Sequence, residues 1–194
     1  VSAADSNGSR DGLTSQQTIV VCGLLLAIGG SVAYGVPALM ERHHATEAID
    51  MLGKLSRAAA VYYVKPNMDE KTGDRAPCGF PTGKVRSALA SSCCDESVRL
   101  AGTNLCDPAK MEWNRTLWHA LGRFQLRDAH AFVYEYDASG YFGDAAFTVS
   151  AYADLDCDGV ISTYRFVGKG DPDASPDNCV LKTTPIFTSE NAGE

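Results

Sequence analysis

Residues 18–64, TIVVCGLLLAIGGSVAYGVPALMERHHATEAIDMLGKLSRAAAVYYV, decide how this chain is read. From Thr18 to Met40 no side chain is charged, and a helix needs about 20 apolar residues to cross the hydrocarbon of a bilayer. From Glu41 the pattern changes. Ala45, Ala48, Leu52, Leu55, Ala59 and Tyr62 recur three and four apart, which lines them along one face of a helix. Lys65-Pro66 closes the run, because proline disfavours helix in the residue before it. The expectation is one helix in two halves: a transmembrane half over 18–40 and an amphipathic half over 41–64 whose stripe packs on a soluble domain.

Working outward, residues 1–17 are small and polar and are expected to be a leader or a disordered tail. A secretory signal peptide fits poorly, since the apolar stretch is too long and no small-x-small cleavage site closes it. Residues 65–194 are left for a soluble head, one ordinary domain by length. The chain carries 24 acidic and 17 basic residues, a net charge of -7. That balance is opposite to the basic footprint of a nucleic-acid binder, so no nucleic-acid partner is expected.

Seven cysteines are present. Cys22 lies in the apolar run; Cys78, Cys93, Cys94, Cys106, Cys157 and Cys179 all follow it. An even set beyond a membrane anchor points to disulfides in an oxidising compartment. No C-x-x-C pair supports a zinc or thioredoxin-like site. The spacing leaves the connectivity open, although the neighbours Cys93 and Cys94 are expected to bond to different partners.

Residues 65–107 are punctuated by Pro66, Gly73, Pro77, Gly79, Pro81 and Gly83. A loop this long needs staples or a function; at most a helical turn is expected over Val85–Ala90. A short helix should follow, with Asp107 as N-cap and Pro108 at its first position. Trp113, Leu117, Trp118 and Leu121 would form its apolar face, and Gly122 would end it. Ala131–Tyr136, Ala145–Tyr152 and Val160–Val167 are rich in aromatic and β-branched residues and read as a three-strand antiparallel meander. A fourth strand is placed near Val180–Phe187. Such a sheet needs cover on one face, and the helical stripe supplies it. The expected fold is therefore α+β: a long N-terminal membrane-spanning helix packed on a small antiparallel β-meander head with disulfide-tied loops.

One constellation carries chemistry. Asp154, Asp156, Asp158 and Gly159 form D-x-D-x-D-G, the first half of a calcium loop, in which alternate carboxylates converge and the glycine permits a sharp bend. Val160 would add a backbone carbonyl and Ser162 a side-chain oxygen. The twelfth position is Arg165 rather than glutamate and the flanks read as strands, so this is not an EF-hand. It is either a β-hairpin site for Ca²⁺ or an Asp/Gly turn whose aspartates satisfy backbone N–H groups. Asp171, Asp173 and Asp177 form a second acidic loop that could help close such a site. No Gly-x-Ser-x-Gly, phosphate loop or His-Glu zinc motif occurs, so no enzymatic activity is expected.

Several residues together carry a family likeness. The apolar run closes on Pro37-Ala38-Leu39-Met40, and Thr46-Glu47-Ala48 follows, with Leu52, Lys54 and Leu55. The head holds Cys93-Cys94-Asp95, Cys106, Trp113, Trp118, Tyr134, and Ala153-Asp154-Leu155-Asp156-Cys157-Asp158-Gly159 before Ser162-Thr163-Tyr164. In these features the chain resembles type IV pilins and type II secretion pseudopilins, and its head is similar to the pilin-like proteins of deltaproteobacteria. The resemblance implies a structural, membrane-anchored subunit, a minor pilin or pseudopilin, of an envelope filament or secretion pseudopilus. It implies a single-pass protein of the bacterial inner membrane, with its head in the periplasm or on an extracellular filament. Its partners would be other pilin-like subunits, met through the N-terminal helix, and calcium in the head would fit the pseudopilins. Aligning the family's proline on Pro37 places processing at Ser15–Gln16. Gln16 then stands where the family has phenylalanine and Val20 where it has glutamate, which points to a minor, tip or membrane-retained subunit. The alternative is a non-polymerising, membrane-anchored periplasmic binding or sensing domain.

Overall fold

Side chains that are bulky at the β-carbon suit a pleated surface with one buried face. The computed structural model, which describes residues 44–65, 68, 73 and 76–192, places such residues in five strands. These are β1 (Gly83–Arg86), β2 (Val133–Ser139), β3 (Ala146–Ala153), β4 (Ser162–Lys169) and β5 (Ile186–Glu190). They form one sheet in the order β1-β2-β3-β4-β5, each neighbour antiparallel. One cross-strand row runs Val85, Tyr136, Val149, Phe166, Phe187; its first four members build the core face with Tyr134, Phe147 and Ala151, and exposed Phe187 leans on Phe166 at the edge. The adjacent row, Arg86, Glu135, Ser150, Arg165, Thr188, points to the other face by the period of two.

A helix over 44–64, α1, contributes Ala48, Leu52, Leu55, Ala59 and Tyr63 to the core, all fully buried. Each buried leucine side chain is worth about 1.5–3 kcal/mol. The stripe ends on Tyr63 and not on the expected Tyr62. The Tyr63 hydroxyl donates to the Phe142 carbonyl at 3.0 Å, and its ring lies 4.8 Å from Phe80, which in turn meets Phe147 edge-on.

The expected architecture needs correction. Among the described residues no helix is long and apolar enough to cross a membrane. Helix α1 is amphipathic and carries Glu47, Asp50, Lys54 and Arg57, with a Lys54–Asp50 ion pair at 3.4 Å. The transmembrane half assigned to 18–40, the 1–17 leader and Cys22 lie outside the described residues. The sheet has five strands where a three-strand meander with a fourth strand near Val180–Phe187 is expected. β1 occupies the stretch expected to be a helical turn, because Val85 pairs with Tyr136 and the Ser87 N–H continues the ladder to the Tyr134 carbonyl at 2.8 Å. The last strand starts at Ile186, beyond the expected position, since Pro185 has no N–H to give a ladder. The helix expected from Asp107 to Gly122 is split. Asp107 caps a 3₁₀ turn over Pro108–Lys110, accepting from the Ala109 N–H at 3.0 Å. The Glu112 N–H is then drawn off to the Ser87 carbonyl at 2.7 Å. Helix α2 (Thr116–Ala120) forms only after that interruption, and Gly122 follows with φ +75°.

The six cysteines of the head are paired as Cys78–Cys179, Cys93–Cys106 and Cys94–Cys157. Adjacent Cys93 and Cys94 take different partners, as expected.

Where α1 meets the sheet, Glu47 Oε1 accepts from the Ala131 N–H at 3.2 Å and the Tyr134 hydroxyl at 3.3 Å. Burial nevertheless lifts its pKa above the ordinary 4.5. The folded state then holds this proton more tightly than the unfolded chain does. The associated stability is full below pH 4.5 and is lost as pH rises through the raised value. His130 behaves oppositely: burial depresses its pKa, so its share of stability is lost as pH falls below the ordinary imidazole range. Replacing Glu47 by Gln is expected to flatten the decline in melting temperature across the carboxylate range and to deepen the His130 arm, because the Glu47 charge supports the protonated imidazole. Thermal melts between about pH 4 and 8 check this.

Candidate metal centre

The loop between β3 and β4 begins at Asp154, whose side chain is only 7% exposed. One Asp154 oxygen accepts from the Asp158 N–H and the other from the Gly159 N–H, each at 3.0 Å. Asp156 Oδ1 accepts from the Asp158 N–H at 3.3 Å, and Asp158 Oδ1 accepts from the Val160 N–H at 2.8 Å. Aspartate suits these places because its short side chain reaches backbone two residues on. The bends are made at Cys157, with φ +64°, and Gly159, with φ +97°. A left-handed conformation is unusual for a residue with a β-carbon. Here the Cys94–Cys157 disulfide holds it, and Asn104 Nδ2 donates to the Leu155 carbonyl at 3.3 Å alongside.

Among the described residues Asp154, Asp156 and Asp158 form the one group of acidic, histidine or cysteine side chains placed to share an ion, with ligand atoms within 4.8 Å of one another. The donor set is hard oxygen, which fits Ca²⁺ and not a thiophilic metal. Each carboxylate oxygen that accepts one backbone N–H keeps lone-pair capacity for a cation. The same hydrogen bonds also complete the Asp/Gly turn of the second reading. Val160 follows the cluster at the loop's exposed side, 39% exposed. Ser162 is buried at the start of β4, and its hydroxyl donates to the Asn191 carbonyl at 2.8 Å. Arg165, in the twelfth position, pairs with Glu190 at 3.1 Å.

The second acidic loop has its own task. Asp171 is buried and accepts from the Asp173 and Lys182 N–H groups, both at 2.9 Å, which fastens the C-terminal stretch. Those backbone bonds, that of Asp173 foremost, hold its pKa below the usual carboxylate value. Ser15 and Gln16 lie outside the described residues. Sequence reasoning missed the pinning of the aspartate loop by Cys94, although a cysteine inside D-x-D-C-D-G was the available signal. It also missed the polar cleft beside α2, where Glu112, Arg115 and His119 gather; three residues scattered over a broken helix give no periodic cue. No protein-family model, curated protein or solved structure matches the chain.

Proposed function

We propose that this protein is a structural subunit of a bacterial envelope assembly, a minor pilin or pseudopilin, with its head on the periplasmic side of the inner membrane. The observation that carries the reading is the outward side of α1. Its inner stripe is spent on the sheet, yet Val61 and Val64, three apart on the side away from it, remain exposed at 63% and 45%. Apolar groups on the free side of a helix favour burial against a neighbouring subunit. The three disulfides suit an oxidising compartment. The protein isolated from its native membrane is expected to begin at or near Gln16. Intact mass and N-terminal sequencing check this, and a retained 1–17 segment would overturn the processed-subunit reading. A non-polymerising binding domain is the second reading, and the cleft beside α2 favours it.

Calcium belongs to the same proposal. Saturable Ca²⁺ binding at Asp154, Asp156 and Asp158 is expected to raise the melting temperature, with about 2.7 kcal/mol gained at a hundred-fold excess over Kd. Asp156→Asn, at an exposed position, should weaken that gain and leave the calcium-free melt nearly unchanged. If Ca²⁺ shifts neither protein, the loop is an Asp/Gly turn and nothing more.

A further inference from the structure

Beside α2 the surface opens into a cleft of about 760 Å³, lined by Glu112, Trp113, Asn114, Arg115, His119 and Gln125 among others. A smaller cavity of about 380 Å³ adjoins it, sharing Glu112, Arg115 and Thr116 and walled by Leu89 and Leu117. Both volumes are of the size that holds small ligands. The two fixed charges shared by the cavities cancel: Arg115 Nε donates to Glu112 Oε2 at 2.9 Å, and Nη2 reaches the same oxygen. That bond leaves the second carboxylate oxygen and further guanidinium N–H groups for a ligand. The amides of Asn114 and Gln125 each donate and accept, and both residues are exposed, as is His119.

Under this polar lining lies an unsatisfied donor. Trp113 is buried against Trp118 and Phe124, and its indole N–H finds no acceptor in the fold. Such a group is uncommon and marks a place where the fold alone does not complete the hydrogen bonding. An apolar ligand would desolvate the polar rim without return. A strongly charged ligand would meet a charge pair that is already neutralised, and in the adjoining cavity the cations Lys84, held by Glu135 and Asp137, and Arg86, seated over the Tyr152 ring. Adjacent hydroxyl groups, each a donor and an acceptor, match the lining, and Leu89, 92% exposed, offers apolar surface to the C–H face of a ring.

From these features we infer that the cleft between residues 111 and 125 binds a neutral saccharide, with a second sugar unit reaching the adjoining cavity past Glu112 and Arg115. The inference goes beyond the assembly reading and is tested separately from it, because sugar binding would leave the N-terminal processing unaltered. The chain has two tryptophans, Trp113 in the lining and Trp118 against it, so tryptophan emission, excited where tyrosine does not absorb, reports on this cleft. The full chain is titrated with cellobiose, maltose, lactose and chitobiose into the millimolar range. A saturable change in emission with at least one of them is expected. Asn114→Ala and Gln125→Ala should each weaken it about five-fold, the loss of one hydrogen bond, while both variants melt like the parent. No saturable change with any of the four sugars overturns the inference. So does a change that survives unaltered when Asn114→Ala and Gln125→Ala are combined.

Discussion

Replacing Cys78 and Cys179 together by alanine should lower the unfolding free energy of the head by about 4 kcal/mol, the loss that loop-closure entropy assigns to the roughly 40-residue path that remains once Cys94–Cys157 bridges the middle of this ring. The two residues are 101 apart in sequence, the longest of the three closures. The local structure amplifies the entropic argument. Cys78 precedes Phe80, whose ring joins Tyr63 of α1 to Phe147 of β3. Cys179 holds the segment that delivers β5, and every residue of β5 is exposed. An edge strand without buried side chains depends on its ladder and on what fastens its ends. Denaturant titration should show a lower midpoint; a change in slope as well would mean that the C-terminal segment has detached before the rest unfolds. The matched control is Cys93–Cys106, separated by 13 residues, for which the same reasoning gives about 3 kcal/mol. A smaller loss for the long closure than for the short one would refute the account.

Trp118→Ala should remove about 3–5 kcal/mol, the usual range for emptying a large aromatic site. The side chain is fully buried, with Trp113 and Phe124 each 5.6 Å away between ring centres. Alanine leaves a void that neighbours on α2, β2 and the 121–130 segment cannot all collapse into. Trp118→Phe isolates the packing. The indole N–H of Trp118 has no acceptor in the fold, and a buried donor left unpaired costs about 1–3 kcal/mol. Both variants discard that donor, but phenylalanine keeps a ring in the site, so its effect should fall well below that of alanine. Equal losses for the two variants, measured by the same titration, would show that cavity size does not set the effect.

The parts of the fold legible in the sequence are those with strong periodicity. The spacing of Ala48, Leu52, Leu55 and Ala59 announces the inner stripe of α1, and all four are buried. The aromatic and β-branched runs announce β2, β3 and β4, each displaced by a residue or two towards the C-terminus. The edge strands carry no such signal. β1 is four residues long and follows a glycine- and proline-rich stretch; β5 is exposed throughout and has no alternation to read. The helix after Asp107 reads as continuous because local capping signals cannot reveal a distant carbonyl, that of Ser87, taking the Glu112 N–H. At the aspartate loop, the D-x-D-x-D-G spacing shows that three carboxylates converge. It cannot show that Ser162, a few residues on, turns its hydroxyl to Asn191, because that partner arrives with β5.

Cys93 and Cys94 are neighbours, yet one bonds forward by 13 residues and the other by 63. Swapping their partners would change each ring by a single residue, so the entropy of closing the native and the swapped rings is nearly equal. Chain statistics therefore cannot choose between the two isomers; only the assembled β3–β4 hairpin, which brings Cys157 to Cys94, can. Oxidation that runs ahead of the sheet traps a mixture of species with identical mass. Escape from such a mixture goes through exchange, by thiolate attack on bonds already made.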